Sequence, residues 1–150
     1  MRLCLVVLAG VLSFTAAFAF DERPNLTGVW TRGQNGNGAT YKIEQRDDSL
    51  TIRFNSEFLA GSLRGGLSGT ETYEVDGSER ERKNDGKEIW TTALWRGQSL
   101  VILRVAKDGY RVTVTRESWT PSADGLSLVK NRRVVDMDGV NEKTEVLRRQ

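Results

Sequence analysis

Past residue 25 the chain alternates. Tyr41 and Ile43 are separated by Lys42 and followed by Glu44, while Leu50, Ile52 and Phe54 are separated by Thr51 and Arg53. A period of two sends successive side chains to opposite faces of a pleated strand, so each such run predicts a strand with one apolar face. The same reading predicts strands over residues 26–31, 40–45, 50–54, 70–75, 78–83, 88–95, 99–106, 110–119, 126–135 and 141–148. Turn residues lie between them. Asp-Gly pairs occur at Asp76-Gly77, Asp85-Gly86, Asp108-Gly109, Asp124-Gly125 and Asp138-Gly139. They carry the strongest short-range hairpin signal, because both residues tolerate the positive φ angles of tight turns. Asp47-Asp48 and Arg96-Gly97 supply two further short connections. About ten strands joined by short turns describe an antiparallel meander. A long meander curls shut because closure removes exposed edges. The expectation is an all-β chain: a single antiparallel up-and-down meander closing into a barrel of 8–10 strands.

One stretch departs from the alternation. In residues 55–69, Phe58, Leu59, Leu63 and Leu67 have helical spacing, but Gly61, Gly65, Gly66 and Gly69 share the stretch. Glycine costs a helix about 1 kcal/mol per residue, so a long flexible hairpin or lid-like loop is expected instead. The ribbon around residues 78–83, Ser-Glu-Arg-Glu-Arg-Lys, is charged on both faces and is expected at a rim or in solvent. That also argues against an outer-membrane barrel, whose strands need a lipid-facing apolar side.

The N-terminus reads differently from the rest. Arg2 precedes an apolar run from Leu3 to Leu12, and small residues lead to Ala17-Phe18-Ala19. This is the layout of a secretory signal peptide. The expected organisation is a signal over residues 1–19 and one β-domain over 20–150, secreted or periplasmic, with no integral membrane segment once the signal is removed. Cys4 lies inside the apolar run, so lipidation is not expected. Formal net charge is +2, with both signs interspersed. That leaves no electrostatic footprint for nucleic acid. The chain has no histidine, and its one cysteine lies in the signal segment. Thiolate nucleophiles, zinc sites built on Cys or His, and Ser-His-Asp or Cys-His triads are therefore excluded from the expected domain. No metal site, cofactor or catalytic residue is expected, and stability must come from packing without a disulfide.

The residues also carry a resemblance. Gly28-x-Trp30 on a first strand, followed by a meander, resembles the lipocalin and fatty-acid-binding superfamily of barrels. The segments Glu71-Thr72-Tyr73-Glu74-Val75-Asp76-Gly77, Ala93-Leu94-Trp95-Arg96-Gly97 and Glu117-Ser118-Trp119-Thr120-Pro121-Ser122-Ala123-Asp124-Gly125 look like those of small exported bacterial lipocalin-like proteins. The resemblance implies a lipocalin-like barrel with Trp30 plugging its closed end. Two departures limit it. Lipocalins often carry disulfides. Intracellular fatty-acid binders use a late Arg-x-Tyr pair, whereas this chain ends Val146-Leu147-Arg148-Arg149-Gln150. A carboxylate clamp of that kind does not carry over.

Candidate ligand-binding residues follow from aromaticity and strand parity. Trp30, Trp90, Trp95 and Trp119 could form a stacking platform, although bulky aromatics are also the usual filling of a small barrel. Arg116 extends the row Tyr110, Val112, Val114, and a guanidinium there would hold an anion bidentately. Trp119 falls on the opposite row, so a bulge in that strand is entertained. Arg104 lies opposite Thr113 with a two-residue Asp108-Gly109 loop, and joins the face of Val112 and Val114 with a three-residue loop. Arg132 and Arg133 must point to opposite sides. Asp47-Asp48 is read as a turn, and the glycine stretches 33–38 and 61–66 lack phosphate-loop spacing. The site expected is Trp30, Trp95, Tyr110, Arg116 and Trp119. The function expected is non-enzymatic binding of a small apolar or amphipathic ligand in the lumen, the expected partner being a small hydrophobic or anionic molecule. The alternative is a solid barrel that recognises a protein through residues 55–69. The sequence does not fix the oligomeric state.

Overall fold

A computed structural model of the chain describes residues 23–33, 38–60 and 63–150. These form β1 (Gly28–Thr31), β2 (Ala39–Arg46), β3 (Ser49–Ala60), β4 (Leu63–Glu74), β5 (Asp76–Asn84), β6 (Lys87–Arg96), β7 (Ser99–Asp108), β8 (Arg111–Pro121), β9 (Ser127–Asp136) and β10 (Gly139–Arg149), with no helix among the described residues. The expected signal, residues 1–19, lies outside the described residues, as do residues 61–62 and the side chains of Phe58, Leu59 and Leu63. The described backbone on either side of 61–62 is not a loop. It extends β3 and β4 in unbroken register from Ser49↔Glu74 to Ala60↔Leu63.

The strands lie in one antiparallel sheet of order β4-β3-β2-β1-β10-β9-β8-β7-β6-β5. Its first and last strands in sequence meet, with Trp30 opposite Arg149 and Thr31 opposite Arg148. This seam curls the meander into a barrel. Closure stops short elsewhere, because β4 and β5 are the two edges of the sheet although they follow one another in the chain. The expectation of a hairpin at Asp76-Gly77 fails here for a local reason. Val75 alone separates the strands, and its N–H donates to the carbonyl of Asp48 in the β2–β3 turn at 2.7 Å. The backbone group that a tight hairpin would use is thus spent on another turn. Gly77 instead takes φ +79° inside β5, where the register with β6 slips between Asp76 and Glu79. Asp85-Gly86 does form a two-residue turn, with φ of +48° and +77°.

Eight fully buried side chains, Trp30, Trp119, Leu26, Ile43, Leu50, Leu100, Leu128 and Leu147, fill one end of the barrel. Each contributes about 1.5–3 kcal/mol on burial. Trp30 is central to this plug. Its Nε1 donates to the Leu26 carbonyl at 2.9 Å, and the Arg149 guanidinium covers its ring at 4.7 Å. Gly28 completes the arrangement with φ +150°, where a Cβ would meet Arg149 Nε at 3.4 Å. The Gly28-x-Trp30 spacing therefore has a steric cause: the backbone must take a conformation that disfavours a side chain, under a guanidinium in contact.

Candidate functional site

Four inward rows change character in the same way along the barrel. From the plugged end they read Leu147, Glu145, Lys143 on β10, and Leu128, Lys130, Arg132 on β9. They continue with Trp119, Glu117 on β8 and Leu100, Ile102, Arg104 on β7. Each starts apolar and becomes charged. Facing them, β2 to β4 supply Ala39, Tyr41, Ile52, Phe54, Ser56 and Leu67. Between the walls is a cavity of about 340 Å³. The Phe54 ring packs over its cross-strand partner Gly69, where a Cβ would come within 2.7 Å of the ring. The lumen is thus hollow above its plug, and two-faced.

The charges of the lumen are organised around three carboxylates, two on the charged rows and Glu71 on β4. Glu145 pairs with Arg32 and lies 3.0 Å from Lys143 Nζ, while the Tyr41 hydroxyl donates to its other oxygen at 3.4 Å. Burial alone would raise the Glu145 carboxyl. The Lys143 hydrogen bond and the charges of Lys143, Arg32 and Lys130 outweigh it and hold the group below its ordinary value. The Tyr41 hydroxyl, pushed by burial first and then by Glu145 and Glu117, rises to about 12. Glu117 accepts from Trp119 Nε1 at 3.2 Å and lies 3.5 Å from Arg132 Nε. Glu71 accepts from Arg104 Nη2 at 2.8 Å and from the Tyr73 hydroxyl, which in turn accepts from Arg104 at 3.0 Å. Burial, then the bond to Glu71 and its charge, push Tyr73 far above its ordinary value.

Lys130 occupies the middle of this wall. Its side chain is only 11% exposed. The ammonium sits 4.8 Å from the centroid of Tyr41 and 4.6 Å from that of Trp119. These rings meet edge to face, with centroids 5.3 Å apart at 87°. At 3.6 Å from Glu117, the ammonium stands outside hydrogen-bonding reach of that carboxylate. Around the cavity, Arg32, Arg104, Lys130, Arg132 and Lys143 outnumber Glu71, Glu117 and Glu145 by two. Among the described residues, no group of three His, Cys, Asp or Glu is gathered to hold a metal.

Of the residues singled out from sequence, Trp119 lies on the lumen wall and Trp30 below it in the plug. Trp95 is half-buried and lines a separate cleft of about 410 Å³ with Arg23, Val75 and Asp76. Tyr110 and Arg116 do not reach the lumen: Arg116 belongs to the other side of the sheet and Tyr110 to a turn. Burial of Trp119 turns the odd-numbered row of β8 inward, so the row of Arg116 faces out, opposite Arg133. Tyr110 sits in the β7–β8 turn, 81% exposed. The bulge entertained in β8 is absent, since its register with β7 and β9 is unbroken. Neither loop expected for β7–β8 is found. Asp108 pairs with Arg111, which sets Arg104 opposite Thr115 and points it into the lumen. Arg132 faces the lumen, while Arg133 pairs with Glu142 at 3.2 Å. Lys130, Glu117, Glu145, Tyr41 and Tyr73 were not singled out. A signal for them exists in the rows of every second residue that begin with a large apolar group and end charged.

The ten-stranded meander and its plugged, hollow interior define a lipocalin-like β-barrel. No protein-family model matches the chain, and no curated protein matches it. Seven solved chains do match. One is the crystal structure of a secretory abundant heat soluble protein from Ramazzottius varieornatus. Its TM-score is 0.52 over 83% of this chain and 95% of that chain, at 13% identity. At that identity the likeness speaks for the fold. No helix among the described residues is long and apolar enough to cross a membrane.

Proposed function

We propose that this chain is an exported, non-enzymatic binding barrel that holds a small anionic amphiphile in its lumen. The observation that carries the reading is the lining: around the cavity cations outnumber carboxylates by two, and Ile52, Phe54 and Leu67 supply an apolar side. Lys130 receives the ligand's carboxylate. Its ammonium is largely removed from water, rests on two aromatic faces and still has hydrogen-bond donors to offer. Arg132 and Lys143 strengthen the same field from nearer the mouth. The apolar part of the ligand lies along β3 and β4. A cavity of about 340 Å³ is near the lower end of the roughly 300–1,000 Å³ range of small-molecule sites, so the ligand is small. A non-enzymatic role is supported by the lack of histidine, the commonest general acid or base, anywhere in the chain. Export is supported by the apolar N-terminal run and its Ala-x-Ala ending. The motifs that resemble those of small exported bacterial barrels support the same reading.

Isothermal titration with decanoate, decanol and decylamine at neutral pH tests the proposal. Decanoate is expected to bind most tightly and decylamine least. Equal affinity for all three, or no measurable uptake of any, refutes it.

A further inference from the structure

A second cavity, also of about 340 Å³, opens through the side of the barrel at the β4–β5 break. Its floor is the inward row of β6, Ile89, Thr91 and Ala93. One side is the unpaired edge of β4, and the other carries Arg80 and Arg82 of β5. Glu71, Tyr73 and Arg104 line both this cleft and the lumen. Arg104 belongs to β7, two strands in from the β5 edge, yet its Nη2 reaches Glu71 at 2.8 Å and the Tyr73 hydroxyl at 3.0 Å on β4, the opposite edge. No backbone ladder joins the two edges. A side-chain clasp bridges them instead. Arg104 and Glu71 are 34% and 40% exposed, and ion pairs that reach solvent are held by modest energies, so the clasp can be released.

We propose that the Arg104–Glu71–Tyr73 clasp sets the length of ligand that the barrel accepts, an inference that rests on the lumen reading above. Closed, the clasp is the partition that ends the lumen on the β4 side. Released, it joins two cavities of similar size, and a longer chain passes into the cleft. A polar or anionic far end then meets Arg80 and Arg82. The substrate class of the intact barrel is therefore a short-chain carboxylate, and loss of the clasp converts it to an elongated one.

The test compares octanoate, dodecanoate and hexadecanoate by titration calorimetry in the full chain, in Arg104→Met and in Glu71→Gln. Wild type is expected to favour octanoate and to discriminate against hexadecanoate. Chain-length discrimination in apolar pockets runs from about 10- to 200-fold per methylene, so each variant is expected to shift the hexadecanoate-to-octanoate ratio by at least about tenfold. Glu71→Gln keeps the shape of the acceptor should Arg104→Met fold poorly. A second readout needs no ligand. Ala93, 2% exposed on the cleft floor, is changed to Cys in a Cys4→Ser chain, and maleimide labelling is expected to accelerate when either clasp substitution is added. A wild-type chain that takes up none of the three carboxylates refutes the lumen reading and the length selection built on it. A chain that binds them, with the same length profile in both variants or with no faster labelling, refutes the clasp alone.

Discussion

Lys130→Met separates the work of the ammonium from that of its stem. Methionine keeps the length and most of the volume of the side chain, so packing against Tyr41 and Trp119 survives. What is lost is two cation–aromatic contacts at 4.8 and 4.6 Å, each worth about 0.5–2 kcal/mol. What is gained is relief from the desolvation cost of a largely buried ammonium, which is of the same order as those contacts. Glu117 is not orphaned, because Arg132 at 3.5 Å and the Trp119 N–H at 3.2 Å remain. The stability of the empty protein is therefore expected to change by no more than about 1 kcal/mol in urea unfolding followed by circular dichroism. Binding is expected to respond differently. A hydrogen bond to a charged group contributes about 1.5–3 kcal/mol, which corresponds to a loss of roughly 10- to 150-fold in decanoate affinity. Decanol, which brings no charge, is expected to bind as well as before or better. A folded variant whose decanoate Kd stays within about twofold of wild type would show that the carboxylate does not sit at Lys130.

Two further outcomes are expected. Gly28→Ala forces a side chain onto a backbone at φ +150° and against Arg149, at a cost of about 1–3 kcal/mol; an unchanged urea midpoint would mean that the Gly28-x-Trp30 contact is dispensable. Stability should fail at both ends of the pH scale for identifiable reasons. Glu145 is depressed below 4.5 in the fold, so its contribution is present above 4.5 and disappears as pH falls through the lower folded value. The stability gap between wild type and Glu145→Gln should narrow in that window, and a pH-independent gap would contradict the assignment. Tyr41 is raised from 10.0 to about 12, so its contribution is complete below 10.0 and lost as pH rises through about 12. Tyr41→Phe should flatten that alkaline loss, as read by tyrosinate absorbance and circular dichroism together.

Much of the architecture was legible because period-two alternation and turn chemistry are local properties. β2 and the strands from β5 to β10 fall within a few residues of where alternation predicts them, while β3 and β4 run through most of the stretch expected as a loop; the plug at Trp30 follows from the barrel resemblance. The errors arose where a long-range fact outranked a local one. Asp76-Gly77 has the chemistry of a hairpin, but the Val75 N–H is committed to the β2–β3 turn, a partner far away in sequence. Arg116 looked inward because Tyr110, Val112 and Val114 are apolar. The structure shows a barrel whose outer face also carries apolar residues, Leu103, Val112, Val135 and Val140 among them. Apolar character alone therefore did not tell inside from outside. The decisive mark was Trp119, the largest group on β8, which fixes the parity of the whole strand. Lys130 escaped notice because a lysine between Val129 and Asn131 reads as surface until the row through Leu128 is followed inward.

The seam between β1 and β10 has a consequence for how the protein comes into being. All other pairings join neighbours in the chain, and such hairpins close in about 1–10 μs. The seam links residues as far as 124 apart, as in the bond from Arg149 to the Asn25 carbonyl, and contacts of that separation belong to the slow regime of milliseconds to seconds. Assembly should thus proceed as a ribbon of hairpins that zips up quickly and a single late fastening. Until that fastening is made, the ribbon is wet on both sides and encloses nothing, so the lumen itself comes into existence only at the final step of maturation.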